Sequence, residues 1–187
     1  IINSVVAGKL KAGGNISTLK STDVGGSVVT GDGGDIGGTV SDVKIGGSIR
    51  CGNDLDITDS TVCGILNVGG NVATFKKTSV GGSVIAGGGE TFSDVDGIDP
   101  ADDLADSDIG GTARDVAIFG DLLAGNDIDI TDAEIEDRIA AAGNVTIKDG
   151  DAVEVGDVVT TDSGSTLKIE GEATLNGDID TEGEVVI

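Results

Sequence analysis

The chain has no histidine, tryptophan, tyrosine or methionine, and among its 187 residues there are one proline, two cysteines and three phenylalanines. With no histidine and so few cysteines, neither a zinc site nor a Ser-His-Asp triad can be built. Proline is nearly absent and the glycines do not fall every third residue, which excludes a collagen helix. No run of about 20 apolar residues exists, so the sequence holds no transmembrane helix. Bases are scarce too: 11 Lys and Arg stand against 34 Asp and Glu, and the formal net charge of −23 argues against nucleic acid, whose phosphates require a basic surface. What the chain does have is 33 glycines, and hydrophobic residues making up 37%. The hydrophobics are mostly Ile, Val, Leu and Ala, too many for a simply disordered chain.

The glycines are ordered by a repeat. Residues 36–72 align with 109–145 without a gap, and 18 of the 37 pairs are identical. Ile36-Gly37-Gly38-Thr39 matches Ile109-Gly110-Gly111-Thr112, and Gly52-Asn53-Asp54-Leu55-Asp56-Ile57-Thr58-Asp59 matches Gly125-Asn126-Asp127-Ile128-Asp129-Ile130-Thr131-Asp132. Inside this 73-residue period, Gly34, Gly52, Gly70 and Gly88 stand 18 apart, as do Gly125 and Gly143. A short Gly-rich unit with β-branched residues between its glycines predicts a parallel β-helix, one coil per 18 residues.

The expected fold is therefore all-β: a single β-solenoid of about ten coils over 1–187. The first repeat spans about 15–87 and the second about 88–162; an irregular acidic loop covers 90–108 and terminal coils cover 163–187. Glycines in Val24-Gly25-Gly26-Ser27-Val28 and its relatives mark bends or close backbone approaches. Leu55 and Ile57 alternate with Asp54, Asp56 and Thr58, which sends one set inward and the other outward. Asn53, Asn71, Asn126 and Asn144 follow periodic glycines, and if stacked at one corner their side chains form a hydrogen-bonded ladder; the plainer reading is that Asn tolerates the turn. Thr131–Gly143 has a helix-like capping box, but its gapless partner in the first repeat reads as strand and turn, which favours strand. Around Pro100 the glycine pattern fades, as for a loop or one helical turn with Pro at N1.

Charge is uneven. Residues 1–88 hold 7 acids and 7 bases, whereas 89–187 hold 27 acids and 4 bases. The acidic half reads as a solubilising or salt-adapted surface, or as a binder of divalent cations. Asp54, Asp56, Asp59, Asp127, Asp129 and Asp132 are the Ca²⁺ candidates, set against the plainer reading of solvated outward carboxylates. No cofactor is otherwise required. Cys51 and Cys63 are replaced by Ala124 and Glu136 in the second repeat, so the fold does not need them. They read either as a disulfide, suited to an extracellular place, or as two small hydrophobes. No constellation of paired carboxylates in a groove and no aromatic platform for sugars is legible, so an enzyme is not expected. No flat array of threonines, as ice binding would want, is legible either.

Gly13-Gly14-Asn15-Ile16, Val24-Gly25-Gly26-Ser27-Val28 and Val68-Gly69-Gly70-Asn71-Val72 resemble the large secreted Gly-rich β-solenoid proteins of microbial surfaces. Thr166-Leu167-Lys168-Ile169-Glu170-Gly171 through Gly177-Asp178-Ile179 is similar to the bactofilins, polymer-forming β-helices of about 18 residues per coil. Both resemblances imply non-enzymatic assembly.

The function expected is a structural protomer of an extracellular filament, sheath or surface layer. Its partner would be itself; no nucleic acid and no membrane insertion are expected, and cations or polysaccharide are further candidate partners. Ile1, Ile2, Val5 and Val6 at one end and Val185, Val186 and Ile187 at the other are the expected assembly residues. Starting and ending on strand-like sequence, the chain reads as processed or as part of a longer one. The alternatives are an adhesin stalk or calcium-loaded spacer, a carbohydrate-active β-helix enzyme, and, for location, a cytoplasmic cytoskeletal place.

Overall fold

A computed structural model of the chain describes residues 1–88, 100–148, 153–160 and 164–187. It is an all-parallel β-solenoid of nine turns. Each turn lays down three short strand segments, and each segment pairs in parallel with its counterparts one turn below and above. Three flat faces result. On the first face the stacked inward residues are Ile16, Ile36, Leu55, Val72, Ile109, Ile128, Val145, Leu167 and Val185. On the second they run from Val6 through Val24, Ile45, Val62, Val80, Ile118, Ile135 and Val155 to Leu175. On the third they run from Leu10 through Val28, Ile49, Leu66, Val84, Leu122, Ile139 and Val158 to Ile179.

The period-2 pattern of the sequence explains the strands. Leu55 and Ile57 are buried while Asp56 and Thr58 face outward, and the same alternation recurs in Val145–Lys148. One turn alone has no inside; nine stacked turns bury a continuous aliphatic column along every face. At roughly 1.5–3 kcal/mol for each fully buried Val, Leu or Ile, this core supplies the main driving force. Size is matched along the stack: Phe75, the one fully buried aromatic among the described residues, lies directly beneath Ala113.

Nine turns form where ten were expected because one turn carries an insertion. Between Ala86 on the third face and Ile109 on the first, the described residues add no strand to the solenoid. The described part of this excursion includes one helical turn, Pro100–Asp103, and Leu104, which packs on the outside of the third face against Ile85, Leu123 and Ala140. The rest of the expected loop 90–108 lies partly outside the described residues. Positions matched by the 73-residue offset occupy the same columns: Ile36 and Ile109, Ile45 and Ile118, Leu55 and Ile128, Val62 and Ile135, Val72 and Val145. The helix-like segment is strand, within Ile128–Ala141.

The corners decide whether turns can stack in register, because a turning backbone swings its amides away from the carbonyls below. At the corner between the third and first faces, side chains fill the gap. The backbone amide of Asp35 donates to Asn15 Oδ1, that of Asp54 to Asp35 Oδ1, and that of Asn71 to Asp54 Oδ1, at 3.1, 3.3 and 2.8 Å. The series continues without a break: Asp108 to Asn71 at 2.8 Å, Asp127 to Asp108 at 3.1 Å, Asn144 to Asp127 at 2.6 Å and Thr166 to Asn144 at 2.9 Å. The true column therefore holds Asp54 and Asp127, where the glycine spacing placed Asn53 and Asn126. Those two asparagines stand one residue earlier and donate through Nδ2 to Asp35 and Asp108, at 2.8 and 2.9 Å.

The second–third corner uses the same device. Ser48 and Ile65 amides donate to Ser27 and Ser48 hydroxyls, and Asp121 and Arg138 amides to Ser83 and Asp121. Arg138 also forms an ion pair with Asp121 at 3.0 Å. Gly46 sits tightly here: a Cβ on it would lie 2.6 Å from the Gly25 carbonyl oxygen. At the first–second corner, Ser21, Asp42, Asp59, Lys77, Asp115 and Asp132 adopt positive φ between 46° and 60°. The residues just after them point inward, and the hydroxyls of Thr22, Ser60 and Thr78 donate to the carbonyl two residues back.

The ladder predicts a clean contrast. Asp127→Ala removes the acceptor of the exposed Asn144 amide and is expected to cost about 0.5–1.5 kcal/mol. Asp127→Asn keeps the accepting oxygen, as Asn71 and Asn144 do elsewhere in the column, and is expected to change stability by less than about 0.5 kcal/mol. Chemical denaturation of the two variants measures both.

Candidate functional surfaces

The six candidate calcium ligands go to three different places. Asp54 and Asp127 belong to the corner ladder, where each Oδ1 accepts from the following turn's Asn amide. Asp56 and Asp129 stand on the outer first face, and Asp129 holds the Lys148 ammonium at 2.6 Å. Asp59 and Asp132 are the positive-φ residues of the first–second corner. Among the described residues, no three His, Cys, Asp or Glu side chains gather closely enough to hold a metal ion.

The cysteines are both free. Cys51 is buried in the third-face core, its Sγ donating to the carbonyls of Asp54 and Gly34 at 3.0 and 3.3 Å, and burial pushes its thiol above the ordinary range. Cys63 sits one turn on, at the exposed second–third corner, so one thiol points into the core and the other into solvent. That opposition is why the disulfide read from the sequence does not form. A thiol reagent is expected to modify one cysteine, Cys63, in the folded protein and both after unfolding, with peptide mapping identifying the site.

Stacking also creates surfaces that were not legible in sequence. Along the outer first face, Thr18, Thr39, Asp56, Thr74, Asp129, Thr146 and Lys168 form one column. Lys20, Ser41, Thr58, Lys76, Arg114, Thr131 and Lys148 form the next. A threonine-bearing face is thus present, interrupted by charges of both signs. Register shifts after Ile16, Ile36 and Val72 hid it; aligning the turns on their inward aliphatics rather than on their glycines would have revealed it. On the outer third face, Asn67 is buried with no partner for either amide atom among the described residues.

Two concavities run along the corners. A wide, open groove of about 790 Å³ follows the first–second corner and is lined by Lys77, Ser79, Asp115, Asp132 and Glu134 among others. A smaller, apolar groove of about 370 Å³ follows the second–third corner over the first four turns, lined by Val5, Ala7, Gly25, Gly46, Lys44 and Cys63 among others. The large apolar side chains exposed among the described residues are Ile1, Ile2, Val5, Ile179, Val185, Val186, Ile187 and Phe119; all but Phe119 belong to the two ends. The arrangement offers stacking edges, flat polar faces and one apolar groove, which are means of association.

Comparison of the chain with protein-family models, with curated proteins and with solved structures finds no match. The class of the molecule is therefore set by its own architecture: a parallel β-solenoid repeat protein.

Proposed function

We propose that the chain is a non-enzymatic structural protomer that assembles end to end into a filament, sheath or surface layer outside the cell. The observation that carries the reading is the placement of exposed apolar side chains: among the described residues, seven of the eight large ones lie at the two ends of the rod. The end strands Val5–Val6 and Glu184–Val186 each pair on one side only, so a further turn laid on either continues the parallel ladder. The ends also differ in charge. Lys9 and Lys11 stand near the first, and Asp178, Asp180, Glu182 and Glu184 near the last. Head-to-tail contact brings those opposite charges together, and a heterologous contact of this kind builds an open polymer rather than a closed dimer. The extracellular placement follows from the resemblance to secreted Gly-rich solenoids.

Electron microscopy and sedimentation of concentrated protein, with and without calcium, test this. Polymers are expected, and the double substitution Ile2→Lys, Val185→Lys is expected to abolish them while leaving the β circular-dichroism spectrum unchanged. A chain that never exceeds a dimer under either condition overturns the proposal.

A further inference from the structure

We propose that the edge between the second and third faces pairs with the same edge of a second copy, the two rods lying antiparallel. This contact is lateral and stands independently of end-to-end stacking. Its basis is a knob and a hole on one edge. Ala7, Gly25, Gly46, Cys63, Gly81 and Phe119 occupy the same place in successive turns, since the amide of each of the last five donates to the residue before the previous one. The early members carry little or no side chain and floor the apolar groove of about 370 Å³, room enough for a phenyl ring. Phe119 projects from the same column and is 49% exposed, alone among the described large apolar side chains away from the ends. It also occupies the position that the 73-residue offset matches to Gly46, so one repeat carries the hole and the other the knob at equivalent sites.

A two-fold axis across the edge near Gly81 seats each Phe119 over the Gly46 region of the other copy. At roughly 4.8 Å per turn, knob and hole lie about 14 Å apart along the rod. Gly81, exposed and without a side chain, lets the edges approach at the axis. Because the contact is isologous, it closes as a dimer.

Electrostatics selects the antiparallel arrangement. Parallel rods would set one acidic half against another, whereas antiparallel rods set residues 89–187, with 27 acids and 4 bases, against residues 1–88, with 7 of each. Locally, Glu134 pairs with Ala117 and Glu136 follows Ile135, the partner of Ile118, so both stand in the turn after the knob, and both are exposed. Lys44 and Asp23 stand on adjacent turns of the groove rim, and in the pair Lys44 lies within one turn of the two glutamates.

Sedimentation equilibrium of the whole chain tests the pairing, in the Ile2→Lys, Val185→Lys background so that end contacts do not contribute. A monomer–dimer equilibrium is expected. Phe119→Ser should weaken it by about tenfold or more, with the β spectrum retained. Lys44→Glu should weaken it, and adding Glu136→Lys should restore part of the loss. Phe119→Cys supplies a geometric check. Within one copy, positions 63 and 119 are two turns, about 10 Å, apart, beyond the ~7 Å Cα limit for a bridge. Between copies the new thiol and Cys63, and likewise the two Cys63 thiols, are one turn, about 5 Å, apart along the rod, so mild oxidation should give a covalent dimer and no bridge within one copy. A monomer at every concentration, or a dimer indifferent to Phe119→Ser, overturns this proposal and leaves end-to-end stacking untouched. Polymers lost and dimers kept is the expected result for the end variant and supports the lateral contact.

Discussion

Everything in this structure depends on satisfying the amides at the corners. A straight parallel strand pairs with the turn below through backbone alone, but a bending chain cannot. Each corner residue of the Asn/Asp column is tied to the turn below twice. Its carbonyl accepts from the strand amide beneath, as Asp54 does from Ile36, and its own amide donates to the side chain beneath, as Asp54 does to Asp35. Seven such steps run from Asn15 to Thr166 without interruption. Each such hydrogen bond contributes about 0.5–1.5 kcal/mol net, so a solenoid without this column would lose that contribution at every turn. The ladder also fixes register, because an oxygen displaced by one residue moves to the wrong face.

The same constraint sorts the residue types. Asn and Asp serve equally as acceptors, which lets the column absorb acidic substitutions without changing its backbone pairing. Charge is thus freed from the fold. The first half of the chain balances its charges and the second half accumulates −23, yet the inward columns of residues 36–72 and 109–145 match position for position. Surface chemistry has room to diverge on a conserved frame, and the divergence concentrates where assembly would use it. Lysines lie near one end and carboxylates near the other, and the 73-residue offset matches Gly46 in one half to Phe119 in the other.

Periodicity made the architecture legible: the 18-residue glycine spacing, the alternation around Leu55 and Ile57, and the gapless offset together specify a stacked parallel solenoid. Finer features depended on which residue marks the phase. Glycines sit at variable distances from the inward aliphatics, so the Asn ladder was placed one residue early at Asn53 and Asn126, and the threonine columns of the outer first face were invisible. The insertion before Ile109 removed one turn from the expected ten, since a count by length cannot see residues that leave the helix. Cys63 and Phe119 fell on an exposed edge that only the stacking defines.

The ladder's central role can be read amide by amide with hydrogen exchange followed by NMR. The account predicts that the corner amides of Asp35, Asp54, Asn71, Asp108, Asp127, Asn144 and Thr166 are protected like the strand amides of Ile36 and Leu55 beside them. Exchange of these corner amides at the rate of an exposed loop, with the strands still protected, would contradict it.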